Sequence, residues 1–183
     1  MKRLSIFIMC FITCTFCGPY ICKISAQDKK HEYSKLTHEE RIERRAARLA
    51  EEERILDSII ITHNFEFNPQ TMQQMPAGQM FFLSNVNYTF TIWRGAMEIC
   101  LPYIAGITPP YRRTFLNTGS KNLQNYKTVQ TENGWIVSFS AVLYAEINYT
   151  FTLEINEHSG ATLTISNNWY NDVQYTGTIS QVY

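Results

Sequence analysis

Cysteine is nearly absent from the part of the chain that is expected to fold. Four of the five cysteines lie in the first 26 residues, at positions 10, 14, 17 and 22, which leaves only Cys100 beyond them. If the first 26 residues are removed as a leader peptide, a single cysteine is left and no intrachain disulfide can form. Cys100 stands beside Leu101 in a strand-like segment with no partner to activate it. We therefore interpret it as a small buried hydrophobe and not as a nucleophile.

An excess of charge of either sign is also missing. The chain has 16 basic and 16 acidic residues. Loss of Lys2, Arg3 and Lys23 with the leader leaves 13 basic against 16 acidic residues, a balance of −3. Nothing in that balance attracts nucleic acid, so no nucleic-acid partner is predicted.

Recognisable catalytic and metal-binding patterns are missing as well. No pair among the four histidines, at positions 31, 38, 63 and 158, has metal-ligand spacing, and no G-x-S-x-G occurs. Glu98, Glu146 and Glu154 could pair as glycosidase carboxylates, which keeps a hydrolase as an alternative. However, Glu146 and Glu154 alternate with Thr and Asn on the predicted solvent face. We therefore expect a non-catalytic protein with no cofactor and no metal site.

The N-terminus has the order of features that is typical of a secretory signal peptide. Two basic residues precede an apolar run over residues 4–16, and a small-residue site follows at Ser25-Ala26. We predict a signal peptide over residues 1–26, with cleavage between Ala26 and Gln27. The protein is then exported, to be periplasmic, outer-membrane-associated or extracellular, with no stable membrane span after processing.

Two alternatives remain for this leader. Residues 4–22 are nearly long enough to cross a bilayer as an uncleaved anchor, although Gly18-Pro19 argues against it. Cys17 or Cys22 would be the acylated residue of a lipoprotein, but bulky residues precede both.

A polar tether over residues 27–36 and a charged helix over residues 37–58 are predicted to follow. Thr37 and Glu40 have the spacing of a capping box at the helix start. The apolar stripe is narrow, and Ile42, Leu49 and Leu56 recur every seven residues. This spacing leaves a helix-mediated dimer as a possible partner arrangement, beside an isolated solvated helix.

Residues 59–183 are predicted to form an antiparallel β domain. Apolar and polar residues alternate over residues 86–92, 135–143, 149–155, 161–165 and 173–179, so each strand buries one face. Arg94-Gly95 and Asn133-Gly134 supply turns. The fold class is mainly β (α+β), with about eight strands in a meander that forms a curled sheet, sandwich or small barrel. Two strands are expected to stop at prolines, one at Asn68-Pro69 and one at Pro102.

The ligand-binding candidates are aromatic and basic residues that we predict to lie in loops. The longest irregular segment runs from Tyr103 to Asn122. Exposed rings beside guanidinium groups suit a glycan, a peptide, a protein or another component of the cell envelope. The alternative is a carrier of a small hydrophobic or lipid ligand inside the β domain. The candidates are Tyr103, Tyr111, Arg112, Arg113, Trp169 and Tyr170.

A family resemblance is carried by short segments: Asn87-Tyr88-Thr89-Phe90, Leu101-Pro102-Tyr103, Pro110-Tyr111, Gly134-Trp135, Gly160-Ala161-Thr162-Leu163 and Val173-Gln174-Tyr175-Thr176-Gly177-Thr178-Ile179. In order and spacing they resemble the bacterial family catalogued as domain of unknown function 4251, over roughly Ile55 to Ser180. The resemblance implies an exported protein of Gram-negative gut-type bacteria, sometimes lipid-anchored, with no established activity. It supplies no catalytic residues, and this chain lacks the good acylation site of the anchored members.

Overall fold

The computed structural model describes residues 37–108 and 110–182. The predicted signal peptide (1–26), its cleavage site between Ala26 and Gln27, and the tether (27–36) therefore lie outside the described residues. Within those residues, no helix is both long enough and apolar enough to cross a membrane.

In the part of the chain that the structure describes, the α-helix α1 runs over His38–Ile61. The predicted capping box is confirmed at its start. The backbone N–H of Thr37 donates to the Glu40 carboxylate at 2.8 Å, and the Glu40 N–H lies 3.4 Å from the Thr37 hydroxyl oxygen. The chain divides between Arg48 and Leu49 into two compact units, so α1 contributes to both.

The C-terminal half of α1 continues three residues beyond the predicted end at residue 58. The run Ile59-Ile60-Ile61, expected to open the β domain, is helical. Leu56, Ile59 and Ile60 are buried and have the i, i+3, i+4 spacing of one helix face. Leu56 thus belongs to the core and is not available to a dimer seam, whereas Ile42 and Leu49 are about half exposed.

The described residues contain ten β-strands, all paired antiparallel. They are β1 (Asn64–Gln74), β2 (Met80–Phe82), β3 (Thr89–Trp93), β4 (Ala96–Ala105), β5 (Arg112–Ser120), β6 (Gln124–Thr131), β7 (Gly134–Val142), β8 (Asn148–Asn156), β9 (Gly160–Asn167) and β10 (Val173–Gln181). A 3-10 turn, Tyr144–Glu146, joins β7 to β8. The predicted class, a curled and mostly antiparallel sheet preceded by one helix, is confirmed.

The strand order explains why the sheet curls. Nine strands follow the path β5-β4-β3-β1-β10-β9-β8-β7-β6, and β2 pairs with β1 beside it. β5 and β6 lie at opposite ends of this path, yet only residues 121–123 join them. The two ends must therefore approach each other, which bends the sheet into a half-barrel. β1 lies between β3 and β10, so the strands form two meanders and not the single predicted one.

Both strand ends predicted at prolines are wrong. Pro69 lies within β1, at a register shift opposite Gly177, and a bulge tolerates a residue without an N–H. A Cβ on Gly177 would approach the Asn68 backbone oxygen to 2.1 Å, so only glycine fits there. Pro102 lies within β4, beyond the last pair of β4 with β3, Thr89 with Cys100.

Pro102 therefore removes no ladder bond. Its carbonyl instead accepts a hydrogen bond from the buried Tyr175 hydroxyl at 2.7 Å.

Alternate side chains fill the inside of the half-barrel, as the period-two pattern predicted. Phe90, Phe139 and Phe151 stack with ring centroids 5.0–6.1 Å apart. Two details differ from the prediction. Cys100 is only partly buried, and β3 begins at Thr89, which leaves Val86 88% exposed.

Candidate functional site

A cleft of about 400 Å³ lies at one mouth of the half-barrel, between β5 and the start of β8. We call it the aromatic cleft. Pockets that bind small ligands in proteins typically have volumes of this order. The lining residues used below are Tyr103, Arg112, Phe115, Tyr144, Tyr149 and Tyr170.

The floor of the cleft is formed by two tyrosines from opposite walls. Tyr103 on β4 and Tyr149 on β8 both occupy inward positions in their strands, and they are 1% and 3% exposed. Their rings meet edge to face, with centroids 6.2 Å apart. Such a pair gives a rigid, largely apolar surface.

One side chain, Asn167, ties this floor to the turn between β9 and β10. Its Nδ2 donates to the Tyr103 hydroxyl oxygen at 2.8 Å. Its Oδ1 accepts from the backbone N–H groups of Trp169 and Tyr170 at 2.8 and 2.9 Å. The sequence indicated a turn here, but nothing in it indicated the contact with Tyr103, which is 64 residues away.

Burial keeps the floor hydroxyls neutral. It raises the pKa of Tyr103 well above its usual value, and the hydrogen bond from Asn167 only partly offsets this effect. Burial, reinforced by Tyr170 and Tyr144 nearby, also raises the pKa of Tyr149. Arg112 is the charged residue that lines the cleft, and no carboxylate in the described part of the chain lies within ion-pair distance of it.

The free edge of β5 borders the cleft. Within the described residues β5 pairs with β4 alone. At Asn117 the Tyr144 hydroxyl binds this edge twice, since it accepts from the backbone N–H at 3.0 Å and donates to the carbonyl. A side chain thus occupies one position where a neighbouring strand would bind.

The six predicted ligand-binding residues separate in space. Tyr103, Arg112 and Tyr170 line the aromatic cleft. Tyr111 and Arg113 line a different pocket of about 430 Å³, and Trp169 is 65% exposed on the β9–β10 turn and lines neither.

The prediction that these residues lie in loops is wrong for three of them. Tyr103 belongs to β4, and Arg112 and Arg113 open β5. Side-chain alternation sends the two arginines to opposite faces of the sheet. The Arg113 guanidinium stacks over the Phe81 ring at 4.6 Å, away from the cleft.

Sequence reasoning did not select Phe115, Tyr144 or Tyr149 as site residues. Tyr149 was recognised only as part of an alternating strand, because alternation does not show where a sheet ends and a cleft begins. The carboxylates considered for hydrolysis, Glu98, Glu146 and Glu154, are all exposed, and none of them lines the cleft. Glu98 and Glu154 lie on separate strands and Glu146 in the 3-10 turn. The described residues contain no group of three or more side chains suited to hold a metal ion.

Comparison with known proteins gives a family and a fold. The family model described as domain of unknown function (DUF4251) matches residues 47–179. No curated protein matches the chain. A solved structure of a DUF4251 family protein from Bacteroides eggerthii DSM 20697 is similar, with a TM-score of 0.55 and 16% sequence identity. The match covers 71% of this chain and 87% of that one, and at this identity it shows a shared fold alone.

Proposed function

We propose, since the chain belongs to the DUF4251 family of domains of unknown function, that it is an exported, non-catalytic protein of the bacterial envelope. Its aromatic cleft binds an envelope component that presents a carboxylate beside apolar surface. Peptides and acidic glycans both have that chemistry. The N-terminal order of basic, apolar and small residues supports export to the periplasm, the outer membrane or the cell exterior.

The observation that carries this proposal is that Arg112 lines the same cleft as four tyrosines. A guanidinium pairs with a carboxylate through two parallel hydrogen bonds, and these are stronger than hydrogen bonds between neutral groups. Because no described carboxylate pairs with Arg112, its donors are available to a ligand. Tyr170 and the Tyr103–Tyr149 floor supply rigid surface for the ligand's apolar part.

The second candidate function is to carry a small hydrophobic ligand, with a different binding place from the one expected from the sequence. Large side chains fill the inside of the half-barrel, among them Phe65, Phe67 and Phe151, each with no exposed surface. A hydrophobic ligand would therefore lie in the cleft and not in the barrel interior. Such a ligand needs no carboxylate, so neutralising Arg112 distinguishes the two candidates.

Recovery of bound material from the native envelope tests the proposal. The full chain would be purified after incubation with an enzymatic digest of that envelope, and bound fragments identified by mass spectrometry. Loss of a charged hydrogen bond is worth about 1.5–3 kcal/mol, or roughly tenfold or more in affinity. We expect Arg112→Gln to lose carboxylate-bearing fragments by at least about tenfold.

The matched control is Arg94→Gln. Arg94 is exposed, like Arg112, and its guanidinium lies 4.5 Å from the centroid of the Trp93 ring. It lies in the turn before β4, and the ten residues of β4 place it about 30 Å from the cleft end of that strand. Equal recovery by wild type and both variants would contradict a carboxylate site at Arg112. Recovery of neutral hydrophobes by all three would favour the carrier.

A further inference from the structure

The backbone of β5 presents unpaired hydrogen-bonding groups to the aromatic cleft. In an antiparallel strand, the N–H and C=O groups of alternate residues point to opposite sides. Both backbone groups of Asn117 bind Tyr144, and therefore point away from β4. The groups of Phe115 and Arg113, two and four residues earlier, point the same way. Within the described residues no strand pairs with them.

The centre of this edge lacks the usual protection, although Arg112 and Arg113 carry charge at the start of β5 and Tyr144 covers Asn117. Proteins commonly blunt a free edge with a lysine, a proline or a covering segment. On β6, the other end strand of the sheet, Lys127 provides such a charge.

On β5 the residue at the centre of the open edge is Phe115, which carries no charge, is 57% exposed and contributes to the cleft lining. Its ring lies on the same face of the strand as the Arg113 side chain, 6.2 Å from the Tyr88 ring. Free backbone groups at an exposed sheet edge, beside a pocket that can take alternate side chains, are the features by which a sheet accepts a peptide as a further strand.

From these observations we infer that the ligand is an extended peptide, which adds to β5 as a further strand. Its backbone pairs with Phe115 and Arg113, and one inward side chain lies on the Tyr103–Tyr149 floor. A carboxylate of the peptide binds Arg112. This inference rests on the proposed function and narrows it, because a glycan has no backbone that matches donor and acceptor pairs repeating about every 6.8 Å along a strand.

Tyr144 limits the length of the added strand. Its hydroxyl occupies the edge at Asn117, so pairing extends from Phe115 towards Arg112 and not towards Ser120. The peptide segment within the cleft is therefore short, with one or two residues paired to the edge.

The ligand side of the test uses a random hexapeptide library with free C-terminal carboxylates, selected on the full chain. The best binder is resynthesised with N-methyl groups on one or the other alternate set of amides, and as a C-terminal amide. We expect one N-methylated set to lower affinity at least about tenfold and the other to leave it nearly unchanged. The C-terminal amide should lose about tenfold with wild type and little with Arg112→Gln.

The protein side compares Phe115→Pro with Phe115→Ala. Proline removes a donor that points away from β4, so the β4–β5 ladder keeps its bonds, as proline on edge strands normally allows. Alanine removes the ring and keeps the donor. We expect Phe115→Pro to bind the selected hexapeptide at least about tenfold more weakly than Phe115→Ala. Should Phe115→Pro fail to fold by circular dichroism, the N-methylated peptides decide.

Each contrary result has a distinct meaning. Equal binding by both N-methylated sets and the parent peptide would overturn strand addition. The protein could instead select no hexapeptide and bind oligosaccharides from the digest, with Arg112→Gln weakening that binding. This result would overturn the inference that the ligand is a peptide and would leave the proposed function standing. If neither the digest fragments nor the hexapeptides need Arg112 for binding, both the peptide inference and the proposed function are overturned.

Discussion

Replacement of Asn167 by alanine gives the sharpest stability prediction for the aromatic cleft. The substitution removes one donor and one acceptor that together bind three partners. The Tyr103 hydroxyl then loses the group that donates a hydrogen bond to it. Because Tyr103 is only 1% exposed, its hydroxyl is left buried without that partner. The turn N–H groups of Trp169 and Tyr170 lose their acceptor as well, the first in an exposed and the second in a partly buried hydrogen bond.

The expected magnitude follows from these two parts. A buried polar group without a partner costs about 1–3 kcal/mol, whereas loss of the turn bonds costs about 0.5–1.5 kcal/mol. Asn167→Ala should therefore lower the free energy of unfolding by about 2–4 kcal/mol. In a protein of this size each kcal/mol corresponds to about 2–4 °C in Tm.

Asn156→Ala is the matched control for the turn contribution. Asn156 has the equivalent place at the end of β8, where its Oδ1 accepts from the backbone N–H groups of His158 and Gly160 at 3.0 and 2.9 Å. It has no buried hydroxyl partner. Urea unfolding should show that Asn167→Ala loses about 1–3 kcal/mol more than Asn156→Ala.

A second variant isolates the orphaned hydroxyl. In the Asn167→Ala background, Tyr103→Phe removes the unpaired group and should restore part of the loss, although the same change destabilises the wild type. Equal losses in Asn167→Ala and Asn156→Ala, with no restoration by Tyr103→Phe, would refute the reasoning.

Three further predictions concern the sheet and its helix. Burial raises the pKa of Tyr126 from 10.0 to about 12, so ionisation favours the unfolded chain, and stability should fall as pH rises from about 10 towards 12. Tyr126→Phe should make that alkaline loss shallower in urea titrations at several pH values. Gly177→Ala forces a Cβ against the Asn68 carbonyl and should cost about 1–3 kcal/mol or more in thermal unfolding. Trp135→Phe removes an indole N–H that donates to Asp57 at 2.7 Å and should cost about 1.5–3 kcal/mol by urea unfolding.

Each of these has its own control. For Tyr126→Phe the control is neutral pH, where the phenol is protonated in the folded and the unfolded chain and the slope of stability with pH should be the same as in wild type. Gly95→Ala meets no atom within 4 Å, and its cost arises from its positive φ alone. Asp57→Asn keeps an acceptor for the indole and should lose less than Trp135→Phe. If a control variant lost more stability than the variant it is paired with, the contact proposed for that variant would be contradicted.

Features that depend on neighbouring residues could be predicted from the sequence. The alternation in β8 correctly placed Tyr149, Phe151 and Leu153 inside, because the direction of a strand side chain is set by the residue's own position. The capping box at Thr37 and the turn at Arg94-Gly95, where both residues have positive φ, are equally local.

Features that depend on distant partners could not be predicted. Pro102 is tolerated because β3 has ended beside it, and Pro69 because a bulge lies opposite Gly177. Neither condition can be recognised near the proline itself.

The same limit applied to the candidate site. The prediction of a loop at Arg112-Arg113 placed the two neighbouring cations in one cluster. Pairing with β4 makes this segment a strand, and the two side chains therefore lie on opposite faces of the sheet.

Amide hydrogen exchange along β5 tests the central claim most directly. In the free full chain, Arg113 and Phe115 should exchange fast, whereas Thr114 and Leu116 should be protected by pairing with β4. Addition of the envelope digest should slow exchange at Phe115 at least about tenfold. Slow exchange at Phe115 in the free protein, or no change on adding the digest, would contradict the claim that this edge is free and binds a ligand.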